Sequence, residues 1–447
     1  MLNIKEIVIA SKGKLLNGNE NSVVKSYRID SREVEILDFF IPIKGEKIDS
    51  HKFLEDISSK GAIGFFLEES YYDKNIDIIN DIISKYKDIN IILVENSLKA
   101  LYEIGKYNRS IHMNIPVIAI TGSVGKTSTK EIISSVFETE YNVLKTYKNF
   151  NGYIGLSLML LMLENQDIAI LEHGIDVKGE MNLLASSSKP TYSVITNIGM
   201  SHIENFGSRE NIGNEKLIIA DYTEKLVYVN GEDDILNNTA NSKYYLSEIE
   251  DILQNGNQTT YYTKIYNDKT KIEINEYGNH NIFNSLVAIR IAEKFNMDKN
   301  NIVKGIKNYR NYGRRFEVKN LKSGKILVDD TYNASFDSFK SGLESLTSFN
   351  MKKIVILGDI LETGKYAEQL HRNVGKLFKN INVDEVITIG NNAKFINIEA
   401  SKYVRTKYYE DKIDIIKYIN SIKEKDIVVY LKASNGMKFI DIVNKIN

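Results

Sequence analysis

At 447 residues the chain is long enough for about two to four ordinary domains, and 43% hydrophobic against 26% charged residues allows large cores and excludes wholesale disorder. A net charge of -1 without any polybasic segment speaks against nucleic acid or an anionic membrane as the main partner. The absence of cysteine excludes disulfides, iron–sulfur clusters and cysteine zinc sites, and fits a reducing compartment.

The N-terminal run MLNIKEIVIASKGKLL is broken by Lys and Glu and lacks the apolar core and cleavage site of a secretion signal. No apolar run approaches the roughly 20 residues of a bilayer span. IGLSLMLLML (Ile154 to Leu163) comes nearest and reads as a core helix, so no membrane insertion is expected and the expected location is the cytoplasm. GAIGFFLEE and NIILVEN read as strands, and KALYEIGKYNRSIHMN as a helix passing into a linker, with a first domain boundary near Met113.

The next segment, IPVIAITGSVGKTSTKEIISSVFETE, reads as strand, glycine-rich turn and helix. That order aims backbone N–H groups and the positive end of a helix at an anion. Lys126 would reach the terminal phosphates of a nucleotide, and the Thr127 hydroxyl would meet Mg²⁺. Gly125-Lys126-Thr127 is preceded by Gly122 and not by a glycine at Ile120, so the loop departs from the common Gly-x₄-Gly-Lys-Ser/Thr pattern. The bland alternative is an accidental Gly-Lys-Thr at a helix start, which the strand–turn–helix context disfavours.

Further strands follow at DIAILEHG, YSVITNIG and KLVYVNG; residues Asn237 to Gln258 read as a surface excursion, and HNIFNSLVAIRIAEKF as an amphipathic helix. Glu172, Asn197 and His202 stand where strands end, which is where open parallel sheets bind ligands. A second boundary is expected at Tyr312-Gly313. After it, KILVDD, KKIVILGD, DEVITIG and DIVVYLKAS alternate with helices as in a Rossmann-like unit, with Asp330, Asp359 and Lys432 at strand ends.

These residues resemble the Mur ligase family. TGSVGKTST is similar to its ATP loop, TG-x-x-GKT-[ST], so the shortened pattern is the family's own form. TNIGMSHIENFGSRENIGNEK, GNHNIFNSLVAI, RRFE and LVDDTYNAS resemble its further motifs. DSREVEILDFFIPIKGEKIDSHKF, KNFNGYIGLSLMLL and LGDILETGKYAEQLH bring the likeness closest to members that join D-alanyl-D-alanine to a UDP-N-acetylmuramoyl tripeptide.

The resemblance implies an α/β fold of three domains: an N-terminal UDP-sugar-peptide domain (1–112), a central P-loop ATPase with a parallel sheet (113–313), and a C-terminal Rossmann-like domain (314–447). It implies an ATP- and Mg²⁺-dependent amide ligase working through an acyl phosphate in cell-wall synthesis, as a monomer. Thr121, Gly122, Ser123, Val124, Gly125, Lys126, Thr127, Ser128, Asn281, Asn284, Arg315 and Asp330 would bind the nucleotide. Thr127, Glu172, His202 and a carbamylated Lys216 would hold metal; Lys126, Lys216, His202 and Arg315 would carry catalysis; Ser31, Arg32 and Asn151 would meet the UDP-sugar substrate.

Departures from the family pattern are His173 in LEHGID, Ser335-Phe336 in NASF and the run KASNGMKF, and they leave the incoming amine open. A paralogue that joins another amine to another acid, and a nucleotide-gated switch without ligase chemistry, are the alternatives. The intact Lys126, Glu172, His202 and Lys216 argue against the switch.

Overall fold

The computed structural model describes residues 1–278, 280–311 and 313–446, so the boundary expected at Tyr312-Gly313 falls partly outside the described residues. By compactness the chain divides into two units. The first comprises Met1–Ala119, Asn142–Gly174 and Glu180–Thr191; the second comprises Ile120–Tyr141, Ile175–Gly179 and Tyr192–Asn447.

In the first unit a five-stranded sheet runs in the order Lys14–Asn17, Asn90–Val94, Gly64–Glu68, Asp38–Phe40, Ser26–Arg28. Its first pair is antiparallel and the rest are parallel. Gly64–Glu68 is buried along its length, and Phe65 and Phe66 are fully enclosed, as expected of a strand covered on both faces. The helices Ser97–Ile111 and Tyr153–Leu161 approach closely because residue 105 is glycine: a Cβ there would lie 2.8 Å from the Ser157 carbonyl oxygen. Asn108 secures the contact by donating to the carbonyls of Leu160 (2.8 Å) and Leu163 (3.0 Å). IGLSLMLLML is therefore a core helix. The strand Ile168–Glu172 pairs in parallel with Val143–Lys145 and delivers Glu172 to its carboxyl end.

In the second unit the strands Tyr192–Ile195, Leu226–Asn230 and Ser242–Tyr244 pair in parallel. The excursion expected at Asn237 to Gln258 divides: Ser242–Tyr244 joins that sheet, and Glu250–Asn255 opens a three-stranded antiparallel sheet with Gln258–Ile265 and Asp268–Ile274. The helix His280–Lys294 forms where the sequence places one, and it is buried at ten of its positions, Asn281, Ile282, Asn284, Ser285, Leu286, Val287, Ala288, Ile289, Ile291 and Ala292, so it is a central helix covered on more than one face.

The C-terminal part carries a six-stranded sheet in the order Glu317–Asn320, Ile326–Asp329, Ile427–Lys432, Lys352–Leu357, Glu385–Ile389, Arg405–Tyr409. All pairs but the first are parallel. Two apolar clusters fill its faces, one around Val328, Phe339, Val355 and Tyr430, the other around Leu327, Ile356, Val429 and Phe439. Strand order reverses between Ile427–Lys432 and Lys352–Leu357, which is where such sheets open a crevice. Asp359, just past that point, is already committed: its Oδ1 accepts the backbone N–H groups of Asn392 (3.0 Å) and Ala393 (2.6 Å) at the start of the helix Ala393–Ala400. No helix among the described residues is long and apolar enough to cross a membrane.

Candidate active site

The strand Val117–Thr121 ends where the glycine-rich loop begins, and the helix Lys126–Phe137 starts directly after Gly125. Gly122 (φ 145°) and Gly125 (φ 85°) both take backbone conformations that favour glycine. At Gly122 space is also decisive, since a Cβ would sit 1.9 Å from the Thr196 hydroxyl oxygen. Thr121 is buried, and its carbonyl accepts the Thr196 N–H at 3.0 Å.

Residues just past the strand Tyr192–Ile195 clasp the loop. Asn197 accepts the Val124 N–H at Oδ1 (3.0 Å) and donates from Nδ2 to the Val124 carbonyl (3.0 Å). Thr196 donates to the same carbonyl at 2.6 Å. Ser123 donates its N–H to the Asn197 carbonyl (3.0 Å) and receives the Gly199 N–H on its hydroxyl oxygen (2.8 Å). The sequence places Asn197 at a strand end without assigning it a role, and nothing in it singles out Thr196. The pairing is invisible locally, because the partners are far apart in the chain.

Lys126 donates from Nζ to the carbonyls of Gly122 (2.7 Å) and Ser123 (3.4 Å), arching over the turn. Thr127 is buried at the first turn of the helix, and Ser128 lies beside the buried Tyr309 phenol. Lys216, on the helix Arg209–Leu217, is 3% exposed. Burial, together with the charge of Lys126 nearby, holds its amine well below the usual lysine range, against the opposing pull of Asp176 and Glu215.

His202 adopts a left-handed conformation (φ 59°). Its Nδ1 lies 2.8 Å from Glu362 Oε2 and its Nε2 3.4 Å from Asp176 Oδ1. From the central helix, Asn284 accepts the Thr129 hydroxyl at Oδ1 (3.0 Å), which ties it to the loop helix. Asn281 Oδ1 and Asn284 Nδ2 are buried polar atoms with no partner among the described residues. Such atoms in a native site call for a ligand or water, and they suit the donor and acceptor edges of a nucleotide.

A second cluster forms in the C-terminal part. Asp330 Oδ2 accepts from Lys432 Nζ and from the Tyr430 hydroxyl, both at 2.7 Å, and Oδ1 accepts the Phe316 N–H at 3.2 Å. Arg315 stacks over Tyr332, with its guanidinium carbon 4.1 Å from the ring centre. His280, at the start of the central helix, feels the charges of both Asp330 and Lys432, and its own desolvation keeps its imidazole below the ordinary range.

In the first unit, Glu172 is buried, with its N–H given to the Thr146 hydroxyl (2.8 Å). Asn151 lies against Gly174 and accepts that residue's N–H at 2.8 Å, so Asn151 and Glu172 share one end of the strand Ile168–Glu172. Ser31 and Arg32 sit elsewhere, on the single turn Ser31–Glu33. Arg32 grips Asp30 with Nε (2.9 Å) and Nη2 (2.6 Å), and that hydrogen bonding lowers the Asp30 carboxyl to about 2. Among the described residues no group of three or more His, Cys, Asp or Glu side chains gathers as a metal cluster.

Comparison with known proteins gives a consistent picture. Residues 120–292 match the model described as Mur ligase middle domain, and residues 314–434 the model described as Mur ligase, glutamate ligase domain. The UDP-N-acetylmuramoyl-tripeptide–D-alanyl-D-alanine ligase of Bacillus subtilis (strain 168) is 33% identical over 98% of this chain and 97% of its own length. Among solved structures, MurF from Acinetobacter baumannii superposes with a TM-score of 0.88 at 24% identity, covering 99% of this chain and 98% of that one. MurF ligase from Thermotoga maritima, solved in complex with ADP, gives a TM-score of 0.81 at 24% identity over 94% and 97%.

Proposed function

This chain belongs to the Mur ligase family, and from that premise we propose that it adds D-alanyl-D-alanine to a UDP-N-acetylmuramoyl tripeptide, with ATP cleaved to ADP and phosphate, in peptidoglycan precursor synthesis. The observation that carries the proposal is the reach of the likeness. It runs over 98% of the chain, well beyond the ATP-binding part that related amide ligases share.

A free carboxylate is a poor acyl donor. In the proposed reaction a carboxylate oxygen of the tripeptide attacks the γ-phosphorus of ATP, ADP leaves, and an acyl phosphate results. The dipeptide amine then attacks the carbonyl carbon, the tetrahedral intermediate expels inorganic phosphate, and the nitrogen gives up a proton. The loop Thr121–Ser128 holds the phosphates, and Lys126 transfers its hydrogen bonds from the Gly122 and Ser123 carbonyls to the phosphate oxygens, countering the charge that builds there. Asn281 and Asn284 offer their unpaired atoms to the nucleotide. Asp330 keeps acceptor capacity on Oδ1 for ribose hydroxyls, and Arg315 meets the γ-phosphate.

Burial eases loss of the Lys216 ammonium proton, and the free amine would add to carbon dioxide and lose a further proton, giving a carbamate that acts as an extra carboxylate. Magnesium would supply charge neutralisation at the phosphates when bound, and among the described residues no group of three or more His, Cys, Asp or Glu gathers as a dense acidic cluster. Thr127, His202 and the Lys216 carbamate are its proposed protein ligands, and Glu172 keeps the metal role that the family likeness gives it. Ser31, Arg32 and Asn151 are the proposed contacts to the UDP-sugar substrate. Residues 1–112, 113–313 and 314–447 are the proposed UDP-sugar, ATP and closing domains of a cytoplasmic monomer.

Phosphate release tests the proposal. Purified protein with ATP, Mg²⁺, UDP-muramoyl tripeptide and D-alanyl-D-alanine should release phosphate well above controls lacking either acceptor or amine. Release no greater than in those controls overturns it.

A further inference from the structure

Three contacts from the C-terminal part land on one short segment, residues 199–207. The Met200 N–H donates to Asp337 Oδ2 at 3.1 Å. Glu362 pairs with His202 at 2.8 Å. The Tyr366 hydroxyl donates to the Gly207 carbonyl at 2.7 Å. The other side of the same segment braces the phosphate loop. The Gly199 N–H donates to the Ser123 hydroxyl (2.8 Å), and the Ser201 hydroxyl donates to the Ser123 carbonyl (3.3 Å).

Asp337 is the contact nearest the loop. It lies in the first turn of the helix Phe336–Ser345, and its Oδ2 occupies the place a side chain at 199 would need, 2.0 Å from a Cβ built on Gly199. A Cβ at that position would also lie 3.2 Å from the Ser123 Cβ, so loop, segment and carboxylate are in direct succession. One residue of the C-terminal part therefore fixes the peptide whose neighbouring N–H groups hold both Asp337 and Ser123.

We propose that Asp337 is a positioning residue that couples docking of the C-terminal part to the state of the phosphate loop, through Met200, Gly199 and Ser123. The inference rests on the ATP-dependent reading above for its ligand. Coupling of this kind is reciprocal: whatever nucleotide does for docking, docking does by the same factor for nucleotide affinity. A carboxylate that merely stabilised its own helix would satisfy no such equality.

The chain has no cysteine, so Glu224→Cys and Lys423→Cys, both at exposed positions, accept a dye pair for energy transfer between the two halves of the second unit. ADP should raise the docked fraction of the labelled parent. Asp337→Ala should shrink that response by about three- to tenfold and weaken ADP binding, read by calorimetry, by the same factor. Asp337→Asn, which keeps an acceptor for the Met200 N–H, should retain more of the response than Asp337→Ala. Gly199→Ala should reproduce the loss from the other side of the contact by displacing the carboxylate. An undiminished ADP response in Asp337→Ala overturns the proposal, as does a parent whose labels ignore ADP. A parent that docks in response to ADP but releases no phosphate with both substrates overturns the ligase reading and leaves the coupling standing.

Discussion

Burying a lysine beside another lysine costs free energy, and the cheapest escape is to surrender the proton. Lys216 is in that position, enclosed at 3% exposure with Lys126 close by. Nothing local in RENIGNEKL announces it: the helix is rich in charged and polar residues, and a lysine there reads as solvated. Only packing reveals the burial, so without the family likeness the sequence alone would have passed it over. The proposed carbamate makes a direct prediction. Lys216→Ala should lower turnover by roughly a hundredfold or more, the scale of losing one stabiliser of transition-state charge. Short carboxylic acids such as acetate should restore part of it, because they return the missing carboxylate. The check is the phosphate-release rate against acetate concentration; full activity of the unrescued variant contradicts the carbamate.

Elements built from contiguous residues were the legible ones. Strand, turn and helix around Gly122–Thr127 follow from a β-branched run, two glycines and a helical apolar period, and the structure keeps that order. The strands Gly64–Glu68, Asn90–Val94, Ile326–Asp329, Lys352–Leu357 and Ile427–Lys432 were legible for the same reason. The antiparallel sheet that Glu250–Asn255 opens was not, because that strand is exposed throughout and offers no apolar alternation. The clasp on the loop was equally hidden. Asn197 and Val124 exchange two hydrogen bonds across a long stretch of intervening chain. Asn197→Ala removes both. At about 1–3 kcal/mol for that loss, nucleotide affinity should weaken by roughly 5- to 150-fold. Calorimetric titration with ADP checks it, and an unchanged affinity would show that the loop holds its shape without the clasp.

At the scale of the whole molecule, one buried imidazole sets a dependence on acidity. His173 is fully enclosed, with Nε2 3.0 Å from the Ser188 hydroxyl, and desolvation lowers it to about 3 from its ordinary 6.5. The unfolded chain binds a proton below 6.5 that the folded chain refuses. The stability this group preserves is therefore present above pH 6.5 and drains away as pH falls toward 3. Between pH 7 and pH 5 the loss is about 2 kcal/mol. His173→Met, which replaces the imidazole by an apolar side chain that does not titrate, should flatten that part of the profile, as read from urea unfolding at the two pH values; equal slopes in both proteins would contradict it. The buried Lys216 has a consequence of another kind. A carbamate forms and decays with the dissolved gas around it, so the catalyst would carry a memory of the atmosphere in which it was kept. Protein stored in degassed buffer should begin its assay slowly and quicken as bicarbonate is restored, which makes the carbon dioxide content of the buffer as much a part of the preparation as its pH.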